Sequence, residues 1–175
     1  MTLEYIIIQC IGFAGTALFV VSYQCRSNKK LFAIQLVAYL FYTLHFILLG
    51  AVTGGISYII NAFRSACLAS RSDFLRSKTM CAVICAMQVA ALCLTWSGWL
   101  SLLPIAANIA ATIGGYTHNG QKIRAVGMFV NSPLWIVYNI FVGSWAGIAD
   151  EVITEATMIV SVARFGWKNL DKTEK

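Results

Sequence analysis

The sequence has few charged residues for its length. Asp, Glu, Lys and Arg make up 11% of the 175 residues, whereas hydrophobic residues make up 59%. A soluble domain carries about 25% charged residues, so this composition excludes an ordinary soluble globular protein. The apolar residues fall in repeated runs of about 20, the length of a membrane-spanning helix. The sequence therefore predicts an integral, all-α membrane protein with one transmembrane unit, surrounded by the lipid bilayer.

Catalytic and metal-binding motifs are also lacking. The sequence contains no H-E-x-x-H, no glycine-rich phosphate loop, no dinucleotide fingerprint and no nucleophile elbow with its partners. The six cysteines form no C-x-x-C pair. Cys81 and Cys85, one helical turn apart, are expected to be small packing residues rather than ligands of a soft metal. We therefore expect no catalytic residues, no metal site, no cofactor and no enzymatic activity.

Seven apolar runs can be marked, and the positive charges lie on alternate connections between them. The predicted helices cover residues 4–24, 31–50, 54–70, 79–95, 100–117, 122–142 and 145–166. Lys and Arg follow the first, third, fifth and seventh helices and are absent from the other three connections. By the positive-inside rule, the N-terminus then lies outside and the C-terminus inside. This placement also argues against nucleic acid as the partner of the net charge of +6.

The N-terminus lacks the basic segment and the small-residue cleavage site of a secretory signal peptide. The first helix is therefore expected to be retained.

The second half of the chain repeats the pattern of the first half. A shift of 93 positions aligns equivalent residues without a gap: Tyr23 with Tyr116, Lys29 with Lys122, Gly50 with Gly143, Gly54 with Gly147, and Arg71 with Arg164. Each unit has three helices, so the single helix between them restores the same orientation and makes a 3+1+3 parallel repeat. The predicted parts are repeat 1–71, linker helix 72–99, repeat 100–166 and cytoplasmic tail 167–175. A coincidental seven-helix bundle is the alternative.

Three segments carry a resemblance to a known family. HFILLG at His45–Gly50, NAFRS at Asn61–Ser65 and ARF at Ala163–Phe165 resemble the YgjV family of bacterial inner membrane proteins. The resemblance covers most of the chain and implies a multi-pass protein of the inner membrane, but it brings no functional residues. The 3+1+3 layout is similar to that of the SWEET sugar transporters, the PQ-loop proteins and the PnuC vitamin-precursor transporters.

An arginine lies near the middle of the third predicted helix. At 1.5 Å per residue, Arg64 lies roughly 15 Å below Gly54, near the centre of a hydrocarbon slab of roughly 30 Å. A charge at this depth usually faces a bundle interior and has a partner. Under the repeat, Glu155 lies at nearly the same height on a facing helix. We therefore expect an Arg64–Glu155 pair, either as a packing salt bridge or in a solute or proton pathway, with snorkelling towards Arg71 as the alternative.

Further polar side chains interrupt the apolar runs. The second and sixth helices carry aromatic and polar residues at matching helical positions, which is typical either of core packing or of a pocket for a sugar or small polar ring compound. The candidate solute-binding residues are Asn61, Arg64, Tyr42, His45, Asn108, Asn131, Trp135, Tyr138, Asn139, Glu151 and Glu155. For His45 the alternative is a hydrogen-bonded core residue, and for Asn108 an interhelical contact. Asp150, near the outer end of the seventh helix, is expected to be solvated.

The function favoured by these patterns is a small secondary transporter or facilitator. It would move a small polar solute by alternating access between the two three-helix units. The alternative is a non-transporting membrane receptor or assembly factor with the same fold. A homo-oligomer is an alternative to a monomer.

Overall fold

The computed structural model describes residues 2–167, which form a helical bundle. The helices are α1 Leu3–Tyr23, α2 Asn28–Leu48, α3 Val52–Ala69, α4 Lys78–Leu94, α5 Leu102–Gly115, α6 Gly120–Val126, α7 Ser132–Val142 and α8 Trp145–Phe165. A 3-10 turn at Trp99–Ser101 leads into α5, and a π-helical turn at Gly127–Asn131 joins α6 and α7 into one rod. Residues 2–167 thus form seven helical rods without a β-strand, which confirms the predicted all-α class. The predicted tail beyond Trp167 lies outside the described residues.

Three rods are long and apolar enough to cross a membrane, by length and composition: Leu3–Tyr23, Asn28–Leu48 and Gly120–Val142. The segments Lys78–Leu94 and Trp99–Gly115 are shorter apolar helices. The remaining two, α3 and α8, carry most of their polar residues on a buried face. Their outer faces are apolar, as shown by the exposed side chains of Ile59, Phe63, Val152, Ile153 and Ile159. Helices with polar and charged side chains on the buried face and apolar side chains on the outer face are suited to a lipid environment.

The loops that carry Lys and Arg meet at one end of the bundle. Three side chains there donate hydrogen bonds to backbone carbonyls of another loop: Tyr116 to Leu75 at 2.9 Å, Arg124 to Cys25 at 3.2 Å and Gln121 to Trp167 at 2.9 Å. At the opposite end, the Tyr5 hydroxyl donates to the carbonyl of Gly143 at 2.9 Å. Successive rods therefore run in alternating directions through the bundle.

Two glycines end helices at this opposite end. Gly50, between α2 and α3, has φ +74°, and Gly143, between α7 and α8, has φ +69°. Glycine adopts such left-handed conformations without a steric penalty, which allows each chain reversal to take only a few residues. The two glycines are 93 positions apart, so equivalent positions of the predicted repeat share a left-handed φ.

Within each half of the chain three rods pack side by side, and each such set of three is called a triplet below. The helix α2 packs along α1 and α3, and the α6–α7 rod packs along α5 and α8. Across the triplets α1 contacts α8 and α3 contacts α5, while α4 lies against α3 and α5. The α1–α8 contact depends on a glycine, since a Cβ atom on Gly12 would lie 2.6 Å from the Cβ of Ala146.

An aromatic cluster fills the core between the triplets. Its buried rings come from both halves of the chain: Phe19, Tyr39, Tyr42, Phe46, Tyr58, Trp135 and Tyr138. The ring centroids of Tyr58 and Trp135 are 4.7 Å apart, and those of Phe46 and Trp135 are 5.7 Å apart. The aromatic residues of the second and sixth predicted helices therefore meet in one core.

Candidate functional site

A polar cavity of about 30 Å³ adjoins the aromatic cluster in the middle of the bundle. Both triplets contribute to its lining: Phe19, Tyr23, Tyr39, Tyr58, Asn61, Asn108, Asn131, Ser132, Trp135, Asp150, Glu151 and Thr154. A volume of this size holds one or two water molecules. The combination of two carboxyl groups, three asparagines and several aromatic rings is unusual for the interior of a membrane protein, where ionisable groups are rare.

Two adjacent carboxyl groups of α8 line this cavity. The side chain of Asp150 is 4% exposed and that of Glu151 is 6% exposed. The hydroxyls of Thr16 and Tyr42 lie beside the carboxyl group of Asp150, but its Oδ1 atom has no hydrogen-bond partner among the described residues. The expectation of a solvated Asp150 is therefore wrong. The first turns of α8 are covered by α1, where Gln9 accepts a 2.9 Å hydrogen bond from the backbone N–H of Ala146.

Asparagine and glutamine side chains form a buried network on the α3–α4–α5 side. The Nδ2 atom of Asn61 donates to Oδ1 of Asn108 at 2.7 Å, and Nε2 of Gln88 donates to Oδ1 of Asn61 at 3.3 Å. The Nδ2 atom of Asn108 has no partner among the described residues. The side-chain oxygen of Asn108 thus links α5 to α3 of the other triplet. Its Nδ2 donor remains unused beside the cavity.

The π-helical turn shapes another part of the cavity wall. Pro133 follows it and has no N–H to donate to the carbonyl of Phe129, so a regular α-helical ladder is interrupted there. The wider turn at Gly127–Asn131 precedes this interruption and carries Asn131, which donates to the carbonyl of Ala107 at 3.0 Å. Turns of this type occur frequently at functional sites. Here the turn places Asn131 and the following Ser132 on the cavity wall.

Arg64 lines a second cavity of about 30 Å³, which shares Tyr23, Tyr39 and Asn131 with the first. Its Nη2 atom donates to the hydroxyl of Tyr39 at 2.7 Å, while Nε and Nη1 have no hydrogen-bond partner among the described residues. With 3% of its surface exposed, Arg64 does not snorkel towards the charged loop.

The predicted ion pair between Arg64 and Glu155 is wrong. Glu155 is half-buried on α8, which packs along α1 and α7, whereas Arg64 lies on α3, which packs along α2. The neighbouring helix α2 therefore supplies the partner of Arg64, through the Tyr39 hydroxyl.

His45 joins three helices at the glycine-turn end. Its Nδ1 atom lies 2.8 Å from the carbonyl oxygen of Ile8, and its Nε2 atom lies 2.8 Å from Oγ of Ser144. A carbonyl can only accept, so Nδ1 carries the hydrogen and Nε2 of the neutral ring accepts from Ser144. Ser144 Oγ in turn accepts from the backbone N–H of Gly147 at 3.0 Å. This is the hydrogen-bonded core arrangement, and His45 does not line the cavity.

The structure brings only some of the candidate residues together. Asn61, Asn108, Asn131, Trp135 and Glu151 line the central cavity, and Arg64 lines the adjoining one.

The remaining candidates lie elsewhere in the bundle. Tyr42 contacts Thr16 and the carbonyl of Ala146, Tyr138 accepts from the N–H of Gly54 at 3.2 Å, and Asn139 packs against Gly147. Together with His45 and Glu155, these three do not line the central cavity. Tyr42, His45, Tyr138 and Asn139 support helix contacts instead.

Several cavity residues were not among the candidates, namely Phe19, Tyr23, Tyr39, Tyr58, Ser132, Asp150 and Thr154. Tyr39 and Ser132 belong to the aromatic-polar patterns of the second and sixth predicted helices, so a sequence signal existed for them. For Tyr58 and Phe19 no signal distinguishes a cavity wall from core packing, because aromatic residues are common in both.

Polar and charged side chains directed into a bundle with an apolar outer surface define a helical membrane protein with a polar core. The family model of Imp-YgjV, described as a bacterial inner membrane protein, matches residues 6–169. The chain therefore belongs to this family, which confirms the resemblance found in its sequence. Comparison with curated proteins finds no match, and comparison with solved structures finds none either.

Proposed function

We propose that this inner membrane protein is a small transporter or facilitator that moves a small polar solute through its core. The polar cavity carries the proposal, because Asn108 Nδ2 and Asp150 Oδ1 are buried beside it without a hydrogen-bond partner among the described residues. Leaving a buried polar group unsatisfied costs roughly 1–3 kcal/mol. A passing solute, or the water that it displaces, would supply the missing partners.

Alternating access between two three-helix units is the mechanism that the packing favours. The two triplets, within residues 1–71 and 100–166, are joined by α4 and have equivalent contacts, α1 with α8 and α5 with α3. His45 reaches Ser144 at the start of α8, and Tyr138, 93 positions later, reaches Gly54 at the start of α3. These contacts are what a 3+1+3 parallel repeat requires, with the solute site between the repeats.

The proposed orientation follows from the loops at the two ends. The basic loops gather at one end, which we assign to the cytoplasm, with the N-terminus outside and the chain crossing the membrane seven times. A solute would then pass between the glycine-turn end and the basic end.

The first experiment is a thermal-unfolding screen of the purified protein with sugars, nucleosides, vitamins and amino acids. A ligand that binds the folded state raises its stability by RT ln(1 + [L]/Kd). We expect a stabilising solute whose effect is lost in Asn108→Ala, with uptake of the same solute into proteoliposomes. Ser27→Ala, at the half-buried cap position before α2 and outside the cavity lining, is the control and should keep the shift.

The outcomes separate the two functions. Stabilisation with uptake supports transport, whereas stabilisation without uptake favours a receptor with the same fold. Absence of both stabilisation and uptake across the panel would contradict the proposal.

A further inference from the structure

Two adjoining cavities carry side chains of opposite charge, and these charges bear on the chemical class of the solute. The inference drawn from them rests on the proposed transport function. One cavity contains the carboxyl groups of Asp150 and Glu151, and the other contains the guanidinium of Arg64. Tyr23, Tyr39 and Asn131 line both cavities, so these three residues form the boundary between an acidic and a basic compartment.

The acidic compartment is suited to a cationic group. Asp150 is 4% exposed and its Oδ1 atom has no hydrogen-bond partner among the described residues. The rings of Tyr58 and Trp135, 4.7 Å apart between centroids, line the same cavity. Carboxylates combined with aromatic faces are the usual recognition elements for amino and quaternary ammonium groups.

The basic compartment is suited to an anionic group. Arg64 uses only its Nη2 atom, for the bond to Tyr39, while Nε and Nη1 are buried without a partner among the described residues. The Nε and Nη1 donors lie on different edges of the guanidinium, so each can donate a hydrogen bond to an oxygen of an anionic group such as a carboxylate. A buried charge is costly unless it is paired, so an anionic ligand group would compensate Arg64.

The two compartments are about one helical turn apart. Asn61 lines the acidic compartment and Arg64 the basic one, and their separation of three positions on α3 corresponds to about 4.5 Å along the helix axis. We infer that the solute is bipolar, with a cationic amino or ammonium group bound at Asp150 and Glu151 and an anionic group bound at Arg64. Each cavity is about 30 Å³, so the solute is admitted when Tyr39 and its neighbours at the boundary move aside.

The test is a matched series of ligands on the purified wild-type protein, read by isothermal titration and by uptake into proteoliposomes. Amino acids with one, two or three carbons between their charges are compared with the corresponding amines, carboxylic acids and neutral amides. We expect a bipolar compound to bind at least about tenfold more tightly than its singly charged or neutral analogues, because both charged contacts contribute.

Variants assign each charge to its compartment. Arg64→Gln should lower the affinity for the bipolar compound about tenfold or more and leave the affinity for the amine unchanged. Glu151→Gln should lower the affinity for the bipolar compound and leave the affinity for the carboxylic acid unchanged. Arg64→Lys, which keeps the charge without the planar fork, should give an intermediate affinity if Arg64→Gln fails to fold.

Three results would overturn the inference: equal binding of a neutral or singly charged analogue, unchanged binding of the bipolar compound by Arg64→Gln, or no binding at all. If neutral solutes bind and are taken up, the transport proposal stands and only the bipolar class is wrong. If no compound of any class binds or is taken up, both proposals fail.

Discussion

Arg64 Nη2 donates a 2.7 Å hydrogen bond to the hydroxyl of Tyr39. The bond joins α3 to α2 within one triplet, so the charge is held by a helix that is its direct neighbour. Because Tyr39 also lines the carboxyl cavity, its hydroxyl stands at the boundary between the acidic and basic compartments. Tyr39 therefore positions the arginine and separates it from Asp150 and Glu151.

Removal of the Tyr39 hydroxyl should destabilise the protein. In Tyr39→Phe, Arg64 loses its acceptor while remaining buried, and we expect a loss of about 1.5–3 kcal/mol, as for other hydrogen bonds to charged groups. Thermal and denaturant unfolding in detergent measure the change. Tyr58→Phe removes a hydroxyl from the same aromatic cluster and should have a smaller effect. Equal losses in the two variants would contradict the role assigned to Tyr39.

Arg64 and Glu155 should act independently in stability. The structure pairs Arg64 with Tyr39 and leaves Glu155 on another helix, so Arg64→Met and Glu155→Gln should be additive within about 0.5 kcal/mol. A double-mutant cycle measures the coupling. A coupling energy of about 1 kcal/mol or more would show that the two side chains meet after all.

Ser144→Ala should destabilise the start of α8. Ser144 caps this helix by accepting from the N–H of Gly147, and it also bonds Nε2 of His45. Loss of a capping serine costs about 0.5–2 kcal/mol. Ser27 occupies the equivalent cap position of α2 without a side-chain capping bond, so Ser27→Ala is a matched control with little effect. Similar unfolding temperatures for the two variants would refute the capping role.

Gly12→Val should disrupt the contact between the triplets. A Cβ atom at this position would lie 2.6 Å from that of Ala146 and 2.9 Å from Nδ1 of His45, so helices α1 and α8 would have to separate. Overpacking of this kind typically costs about 1–3 kcal/mol. Ala14→Val adds two methyl groups to an exposed position of the same helix and should be tolerated. The prediction fails if Gly12→Val unfolds at the same temperature as Ala14→Val.

Reporter fusions test the proposed topology. A reporter active only in the cytoplasm should work after Lys175 and within Arg71–Lys78, because these segments belong to the basic side. It should be inactive within Trp96–Trp99, at the opposite end. Activity within Trp96–Trp99 would overturn the assignment of seven crossings with the N-terminus outside.

About half of the candidate site could be predicted from the sequence. Asn61, Asn108, Asn131 and Glu151 stand out because polar side chains are rare in apolar runs and usually face the interior. The position of Asp150 near the end of α8 predicts a solvated side chain, because the sequence does not show that α1 covers it. Residues such as Tyr39 and Tyr58 are ordinary core residues until their neighbours are known.

Composition and the order of residues determined the all-α membrane class, the seven helices and the family, because apolar length and the placement of charges are properties of the local chain. The tertiary structure alone decided which side chains meet. Arg64 bonds Tyr39 rather than Glu155 since α2, and not α8, lies along α3. The two compartments exist because α8 and α3, which are distant in sequence, bring Asp150 and Arg64 into adjoining cavities that share Tyr39. Helix packing sets these distances, and no single segment of sequence contains them.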